Sequence, residues 1–142
     1  MTNLRRTNLG FLLAKATQKW NDHLYSRFRE AGFPEVRASY GAILVPLFEE
    51  DGLRLGELAK RAHLSKQAMT TMIRLLEKEN LVVQKPDLQD ARAKRIYLTK
   101  KSHKFRPVAE KTLLELEEIA FAVSGEAPAE STRLWLRRFC DL

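Results

Sequence analysis

The sequence predicts a mainly α-helical fold that carries one small β-hairpin, an α+β class. Apolar residues recur at spacings of three and four along most of the 142-residue chain, which is the period of an amphipathic helix. The period changes between residues 81 and 99, where the runs LVVQKP and KRIYLT are β-branched or aromatic and flank the polar segment DLQDARA. These observations predict the element order α-α-α-α-β-β-α-α.

The first two predicted helices are delimited by glycine and proline. The first helix carries an apolar stripe made of Leu9, Leu13, Ala16, Trp20, Leu24 and Phe28. Gly32 and Pro34 end it, because glycine favours a helix stop and proline cannot continue a helix. The second helix covers about residues 37–50, and we expect Pro46 inside it to kink or shorten it.

A short third helix in LRLGELAKRAHL precedes a fourth helix at residues 65–79. Ser65 is the predicted hydroxyl N-cap of this fourth helix, and Asn80 is its predicted left-handed C-cap. The inward stripe consists of Met69, Met72, Ile73 and Leu76. Beyond the hairpin, helical spacing resumes from Phe105 to Val123, SGEAP forms a turn, and AESTRLWLRRFCDL forms a last short helix.

Basic residues are concentrated in one third of the chain. Residues 60–106 hold 13 Lys and Arg against 4 Asp and Glu, a net charge of +9, whereas all other residues hold 12 against 14. Uneven positive charge of this kind is typical of proteins that bind a polyanion, most often nucleic acid. A basic surface that only serves solubility is the alternative.

The outward face of the fourth helix carries side chains suited to reading DNA. These side chains are Lys66, Gln67, Thr70, Thr71 and Arg74, and no acid occurs in the helix before Glu77. The major groove of B-DNA admits one α-helix, where Gln pairs with adenine, Lys and Arg pair with guanine, and Thr methyls contact thymine. Two short helices, a tight turn and a basic hairpin therefore predict a winged helix-turn-helix that binds double-stranded DNA.

The segment ELAKRAHLSKQAMTTMIRLLEKENLV, followed by DLQDARAKRIYLT, resembles the MarR (multiple antibiotic resistance regulator) family of transcription factors. The tip Asp90-Ala91-Arg92 followed by IYLT is the most specific part, and the resemblance is firm over about residues 55–105. It implies one MarR-like domain over residues 1–142, with dimerisation helices at 1–33 and 103–142 and a DNA-binding lobe at 37–101. The recognition helix is then 65–79 and the wing 81–99.

The resemblance also implies an obligate homodimer that presents one lobe to each half of a palindromic operator. The expected DNA contacts are Ser65, Lys66, Gln67, Thr70, Thr71 and Arg74 in the recognition helix, and Arg92, Lys94 and Arg95 in the wing. Arg92 is expected to enter a narrow minor groove, which attracts arginine by its shape and negative potential. Asp90 is expected to support the wing by pairing with Arg92 or Arg95.

Two positions depart from the family pattern. The third helix commonly begins with a Ser or Thr cap, but here the matching region is Arg54-Leu55-Gly56, which caps poorly. The turn after it usually contains glycine, where this chain has His63. We predict that His63 is a structural turn residue rather than a metal or proton sensor, because histidine tolerates the left-handed conformation better than most residues.

The resemblance further implies a repressor that is released from DNA by a small anionic aromatic or phenolic compound. Trp20, His23 and Tyr40 are candidates for lining the pocket of such an effector, with plain core packing as the alternative. Two rival hypotheses are a ligand-independent DNA binder of the same fold and a winged-helix module that contacts other proteins. The second rival leaves the basic third of the chain unexplained.

Several other classes of protein are not predicted. No apolar run approaches the ~20 residues that span a bilayer, so we expect no membrane association and a cytoplasmic location. No Gly-rich phosphate loop, nucleophile elbow or His-Glu-x-x-His motif is present, so neither an enzyme nor a cofactor is expected. No zinc-ligand spacing occurs, and the single Cys140 is predicted to be a small buried hydrophobe, with a redox role as the alternative.

Overall fold

The chain folds into six helices and a three-stranded antiparallel sheet over residues 4–142, the part that this computed structural model describes. The fold class predicted from the sequence is thereby confirmed. The helices are α1 (Leu9–Glu30), α2 (Gly41–Glu49), α3 (Leu55–Arg61), α4 (Lys66–Lys78), α5 (Lys100–Ser124) and α6 (Glu126–Cys140). The strands are β1 (Leu53–Arg54), β2 (Val82–Pro86) and β3 (Lys94–Leu98).

Three local features differ from the sequence prediction. The second helix opens as a 3₁₀ turn, Ala38–Tyr40, and its α-helical part contains Pro46 and lasts only nine residues. The strand β1 was not predicted, because a two-residue strand has no periodicity to detect. The last helix begins at Glu126, inside the predicted SGEAP turn, because only Gly125, with φ +91°, separates it from α5.

The chain divides into two compact units whose boundaries fall within α1 and α5. One unit, Tyr25–Ala109, contains the sheet and α2 to α4, and we call it the lobe. Its core consists of side chains with less than 2% exposure: Val36, Ile43, Leu47, Leu58, Met69, Ile73, Leu76, Leu81, Val82, Ile96 and Ser102. Phe28 and Phe105 are also buried in the lobe, where their rings meet edge to face with centroids 4.7 Å apart.

The turn between α3 and α4 follows from residues with special backbone conformations. His63 has a φ of 54°, in the left-handed region, which confirms its predicted role as a turn residue. Ser65 Oγ accepts a hydrogen bond from the Ala68 amide at 3.1 Å, so the predicted N-cap of α4 is confirmed. Asn80, with a φ of 58°, reverses the chain at the other end, where the Leu81 amide donates to the Leu76 carbonyl.

The sheet has the strand order β1-β3-β2, and the segment from β2 to β3 forms the wing. In the register of the sheet, Pro86 lies opposite Lys94, and Arg54 of β1 lies opposite Arg95 of β3. Gly52 leads into β1 with a φ of +74°, and a Cβ there would lie 2.7 Å from the Tyr97 ring. Only glycine fits this position, so the turn that brings β1 beside β3 depends on it.

The second unit takes in the described residues up to Leu24 together with Glu110–Leu142. None of the side chains of α6 is buried, although the helix carries Leu134, Trp135, Leu136 and Phe139. Arg133 of α6 donates to Glu117 of α5 at 3.0 Å, so the two helices are also joined by an ion pair. Among the described residues, no helix is long and apolar enough to cross a membrane.

Candidate nucleic-acid interface

Helix α4 is divided into a buried apolar face and an exposed polar face. Met69, Ile73 and Leu76 are fully buried in the lobe, which fixes the rotation of the helix about its axis. Because side chains three and four apart share a face, the polar residues of α4 are then directed outward. Ser65, Lys66, Gln67, Thr71 and Arg74 are exposed, and Thr70 is half-buried.

The two threonines of α4 present methyl groups and lone pairs rather than free hydroxyl hydrogens. Thr70 Oγ1 donates to the Lys66 carbonyl at 2.8 Å, and Thr71 Oγ1 donates to the Gln67 carbonyl at 3.1 Å. This bonding to the preceding turn is common for threonine in helices. Among the described residues, Lys66, Gln67 and Arg74 have no side-chain partner, so their donors are available to a ligand.

Acids of the lobe are tied to partners away from this face. Glu77 Oε1, from the first acid of α4, accepts a hydrogen bond from the Gln84 side chain of β2. Glu50 and Glu57 both bind Arg61, at 2.8 and 3.2 Å, and these hydrogen bonds raise the pKa of Arg61. Lys66 and Arg74 on the polar face of α4 are, in the described part of the chain, not paired with an acid.

The tip of the wing is organised by Asp90. Its Oδ1 accepts a hydrogen bond from the Arg92 amide at 3.0 Å and lies 3.5 Å from Arg92 Nε, whereas Arg95 binds a different acid. The Arg92 side chain is 94% exposed. Lys94 is also exposed at the end of the tip. Of the two partners proposed for Asp90, the structure brings it to Arg92.

The base of the wing contains an ion cluster that sequence reasoning missed. The Asp87 side chain is 2% exposed, and its Oδ2 lies 2.6 Å from Arg54 Nε and 3.3 Å from Arg95 Nε. Both contacts join the buried carboxylate to a guanidinium, so the three side chains form an ion cluster. Arg95 also donates to the Gly52 carbonyl at 2.8 Å. Arg95, which was predicted to contact DNA, therefore has two partners within the lobe, Asp87 and the Gly52 carbonyl.

The Asp87 carboxylate is held in its charged form. The Gln89 amide donates to Oδ1 at 2.9 Å, and this bond, with the two guanidinium groups, lowers the pKa of Asp87 although burial opposes it. A signal for Asp87 was present in the sequence, because it is one of only four acids among 17 charged residues at 60–106. An acid inside so basic a segment has many cations from which to gain a partner.

Between the wing tip and the first residues of α3 and α4 lies a cavity of about 370 Å³, which we call the wing cleft. It is lined by Arg54, Leu55, Gly56, Lys66, Asp90, Arg92, Ala93 and Lys94. Four cationic side chains and one carboxylate line it, so the cleft carries a net positive charge. Its position joins the polar face of α4 to the wing.

The candidate effector residues lie on two elements. Trp20 and His23 are three residues apart on α1, and Tyr40 is buried at the end of the 3₁₀ turn. His23 Nε2 is buried without a hydrogen-bond partner among the described residues. Their grouping as one pocket stays a prediction.

Other candidate chemistry on the chain is sparse. Cys140 is exposed, so the prediction that it is buried is wrong for the single chain, because α6 buries none of its residues. No three His, Cys, Asp or Glu side chains are grouped as metal ligands within residues 4–142.

Comparisons with known proteins agree with this arrangement. The family model of the MarR family matches residues 39–94, which contain α2 to α4 and β2. A sequence search of curated proteins finds no match. A similar solved structure is the PcaV transcriptional regulator from Streptomyces coelicolor in complex with its natural ligand, with a TM-score of 0.79 and 19% identity over 99% of this chain and 98% of that chain.

Two further similar structures contain DNA. The transcriptional repressor CouR bound to a 23-mer DNA duplex has a TM-score of 0.80 and 17% identity, over 98% of this chain and 99% of that chain. A DNA complex of MepR from S. aureus has a TM-score of 0.79 and 19% identity, over 94% of this chain and 96% of that chain. At identities of 17–19%, the likeness to these structures shows the fold alone. Residues 39–94 of this chain therefore match the MarR family model, and the chain as a whole shares the fold of these transcriptional regulators.

Proposed function

We propose that the chain is a homodimeric transcriptional regulator that binds double-stranded DNA in a sequence-specific manner, with α4 in the major groove. One observation carries the proposal: α4 buries Met69, Ile73 and Leu76 completely, while its outward face carries basic side chains and its first turn has no acid. A major groove about 12 Å wide admits one such helix. The two DNA-bound structures of the same fold support this assignment.

The homodimer is proposed from apolar surface that a single chain leaves uncovered. In α6, Leu134, Trp135 and Phe139 are 48%, 40% and 52% exposed. Exposed apolar side chains also occur on α1 (Leu9, Phe11 and Leu12) and on the second half of α5 (Leu113, Leu114, Ile119 and Val123). Apolar patches of this extent mark an interface, and obligate dimers often have no stable folded monomer.

We further propose that the regulator is a repressor released by a small anionic aromatic or phenolic compound. The ligand-bound structure of similar fold and the repressor bound to DNA support this assignment. On this chain, the buried His23 Nε2 without a partner is a group that an incoming polar ligand would satisfy. Trp20 beside it supplies an aromatic surface on which such a ring would stack.

Selection of binding sites from a random duplex library tests the proposed function. We expect enrichment of a palindrome whose half-sites are spaced by about one helical turn, or a multiple of it, because each protomer presents one α4. The enriched duplex should bind with an affinity that falls steeply as salt rises. Absence of salt-dependent duplex binding would instead favour a protein–protein module. Titration of the complex with phenolic acids then separates a ligand-responsive regulator from a ligand-independent one.

The wing supplies a prediction of its own. Arg92 should enter the minor groove beside each half-site, so Arg92→Ala should weaken binding most on operators with A·T-rich flanks. Arg92→Lys keeps the charge but loses the planar fork, so it should also bind more weakly than wild type. The measurement is operator affinity on A·T-rich and G·C-rich flanks, with Asp90→Ala as a test of how the tip is held. Equal affinities for all variants on both flanks would show that the wing does not read DNA.

A further inference from the structure

Arg54 occupies an unusual position at the junction of β1 and α3. It is the N-cap residue of α3, yet its side chain makes no capping hydrogen bond. Its partner across the sheet is Arg95, and like charges directly opposite each other destabilise a strand pair. The buried Asp87 lies within 3.3 Å of both guanidinium groups and offsets this repulsion. Arg54, which caps α3 poorly, is therefore part of an ion cluster with Asp87 and Arg95.

The Asp87 contact fixes one edge of the Arg54 guanidinium and leaves the other side of the group accessible. Asp87 Oδ2 lies beside Nε at 2.6 Å, while the Arg54 side chain is 43% exposed and lines the wing cleft. A guanidinium carries five N–H donors in a rigid fork, so the contact at Nε leaves further donors available to an anion that enters the cleft. Lys66 and Lys94 line the same cleft and add two point charges.

We propose that the wing cleft binds one backbone phosphate of the DNA duplex, with Arg54 as the contact residue and Asp87 as the positioning residue that aims it. This inference rests on the proposed DNA binding and deepens it. The cleft lies between α4, which would enter the major groove, and Arg92, which would enter the minor groove. The DNA backbone runs between the major and minor grooves, so one of its phosphates would lie at the wing cleft. Arginine is well suited to bind phosphate, because its guanidinium can donate two parallel hydrogen bonds.

Substitution of Asp87 tests the positioning role, because positioning and general electrostatics predict opposite changes in DNA affinity. Asp87→Asn removes a negative charge from the lobe, so general electrostatics predicts tighter binding to DNA. If Asp87 aims Arg54, the same substitution releases the guanidinium from its position and weakens binding. Glu49→Gln is the matched control, because Glu49 is an exposed acid of α2 in the same lobe that does not line the wing cleft.

The experiment measures the affinity of the full-length protein for its selected duplex and for a random duplex between 50 and 200 mM salt. We expect Arg54→Ala to reduce the slope of log affinity against log salt by about one unit per cleft, with equal loss on both duplexes. Arg54→Lys should restore part of the slope, and Asp87→Asn should reduce it. Glu49→Gln should leave the slope unchanged and bind no more weakly than wild type.

A double-mutant cycle separates positioning from simple unfolding of the wing. If Asp87 acts through Arg54, Asp87→Asn should not reduce the slope further in an Arg54→Ala background. A further reduction would overturn the positioning role. An unchanged slope for Arg54→Ala, in a wild-type protein that binds duplex with strong salt dependence, would overturn the cleft but not the proposed function. Failure of wild type to bind any duplex would overturn both.

Inorganic phosphate distinguishes the DNA backbone from a free anion as the source of the phosphate group. At constant ionic strength, we expect replacement of chloride by phosphate to weaken duplex binding by wild type more than by Arg54→Ala, because inorganic phosphate competes with the backbone for the cleft. Tighter duplex binding by wild type in phosphate would assign the cleft to a free phosphate and overturn the proposal of a backbone contact.

Discussion

Helices α4 and α6 are both amphipathic, but within the single chain only α4 has its apolar face buried. They have 13 and 15 residues, and each carries an apolar stripe beside a polar face. Helix α4 buries Met69, Ile73 and Leu76 completely, whereas α6 buries no residue. The comparison teaches that the face a helix leaves uncovered indicates the kind of partner it fits, and we infer a polar ligand for α4 and an apolar protein surface for α6.

The two helices also differ at their ends, because only α4 has an N-cap that makes a side-chain hydrogen bond. Ser65 caps α4 through its side chain, and Asn80 reverses the chain at its C-terminal end. Helix α6 begins at Glu126, and the preceding N-cap residue, Gly125, makes no side-chain capping hydrogen bond. Helix α4 is therefore fixed at both ends and along its buried face, which suits a helix that must hold several side chains in register with base pairs. We expect α6 to depend on the second protomer for its order.

The largest effect should come from the buried face of α4. Ile73→Ala should lower the free energy of unfolding by about 2–5 kcal/mol, because it leaves a cavity beside fully buried neighbours. Leu75→Ala on the same helix is the control, since Leu75 is 47% exposed and its truncation should change stability by less than about 0.5 kcal/mol. Chemical denaturation measures both. Equal losses would mean that α4 is not anchored by this face.

The apolar face of α6 should give the next largest effect. Trp135 stacks on Phe139 with ring centroids 5.2 Å apart, and Trp135→Ala should weaken the dimer by about 2–4 kcal/mol, as expected for an interface tryptophan. Arg137→Ala, on the opposite face of the helix, should have little effect. Sedimentation at nanomolar concentration measures the association. A folded wild-type monomer under these conditions would contradict the assignment of this face to a second protomer.

The polar face of α4 should give an effect on specificity rather than on stability. Gln67→Ala should cost about 1–3 kcal/mol at one base position and relax discrimination there, because a bidentate contact to a base is lost. Lys60→Ala, an exposed residue of α3, should weaken binding to all duplexes to a similar degree. Affinities for a series of single-base operator variants make the comparison. Parallel losses on specific and random duplexes for Gln67→Ala would remove Gln67 from the reading residues.

The smallest effect should come from the N-cap of α4. Ser65→Ala removes the acceptor of the Ala68 amide and should lower the free energy of unfolding by about 1 kcal/mol. Ser65→Asp restores an acceptor and should recover that stability, but its charge should weaken duplex binding. Thermal unfolding together with duplex affinity separates the two effects. No loss of stability in Ser65→Ala would show that the buried face alone fixes α4.

Much of the lobe could be predicted from local pattern. The apolar period located the helices, Ser65 and Asn80 marked the ends of α4, and the lack of acids before Glu77 marked its outward face. These features depend on residues within about one or two helical turns of each other, where spacing determines contact. The MarR resemblance at residues 55–105 overlaps the family match at 39–94.

Contacts between distant segments were decided only by the tertiary structure. Asp87 meets Arg54 because β1 pairs with β3, and a two-residue strand has no period from which this pairing could be predicted. Arg95, one residue among many cations in sequence, acquires a structural role through the same pairing. The sequence by itself determined which faces are apolar, because side-chain chemistry and helical period suffice for that. The tertiary structure decided which faces the chain covers, because burial depends on packing partners that are remote in sequence.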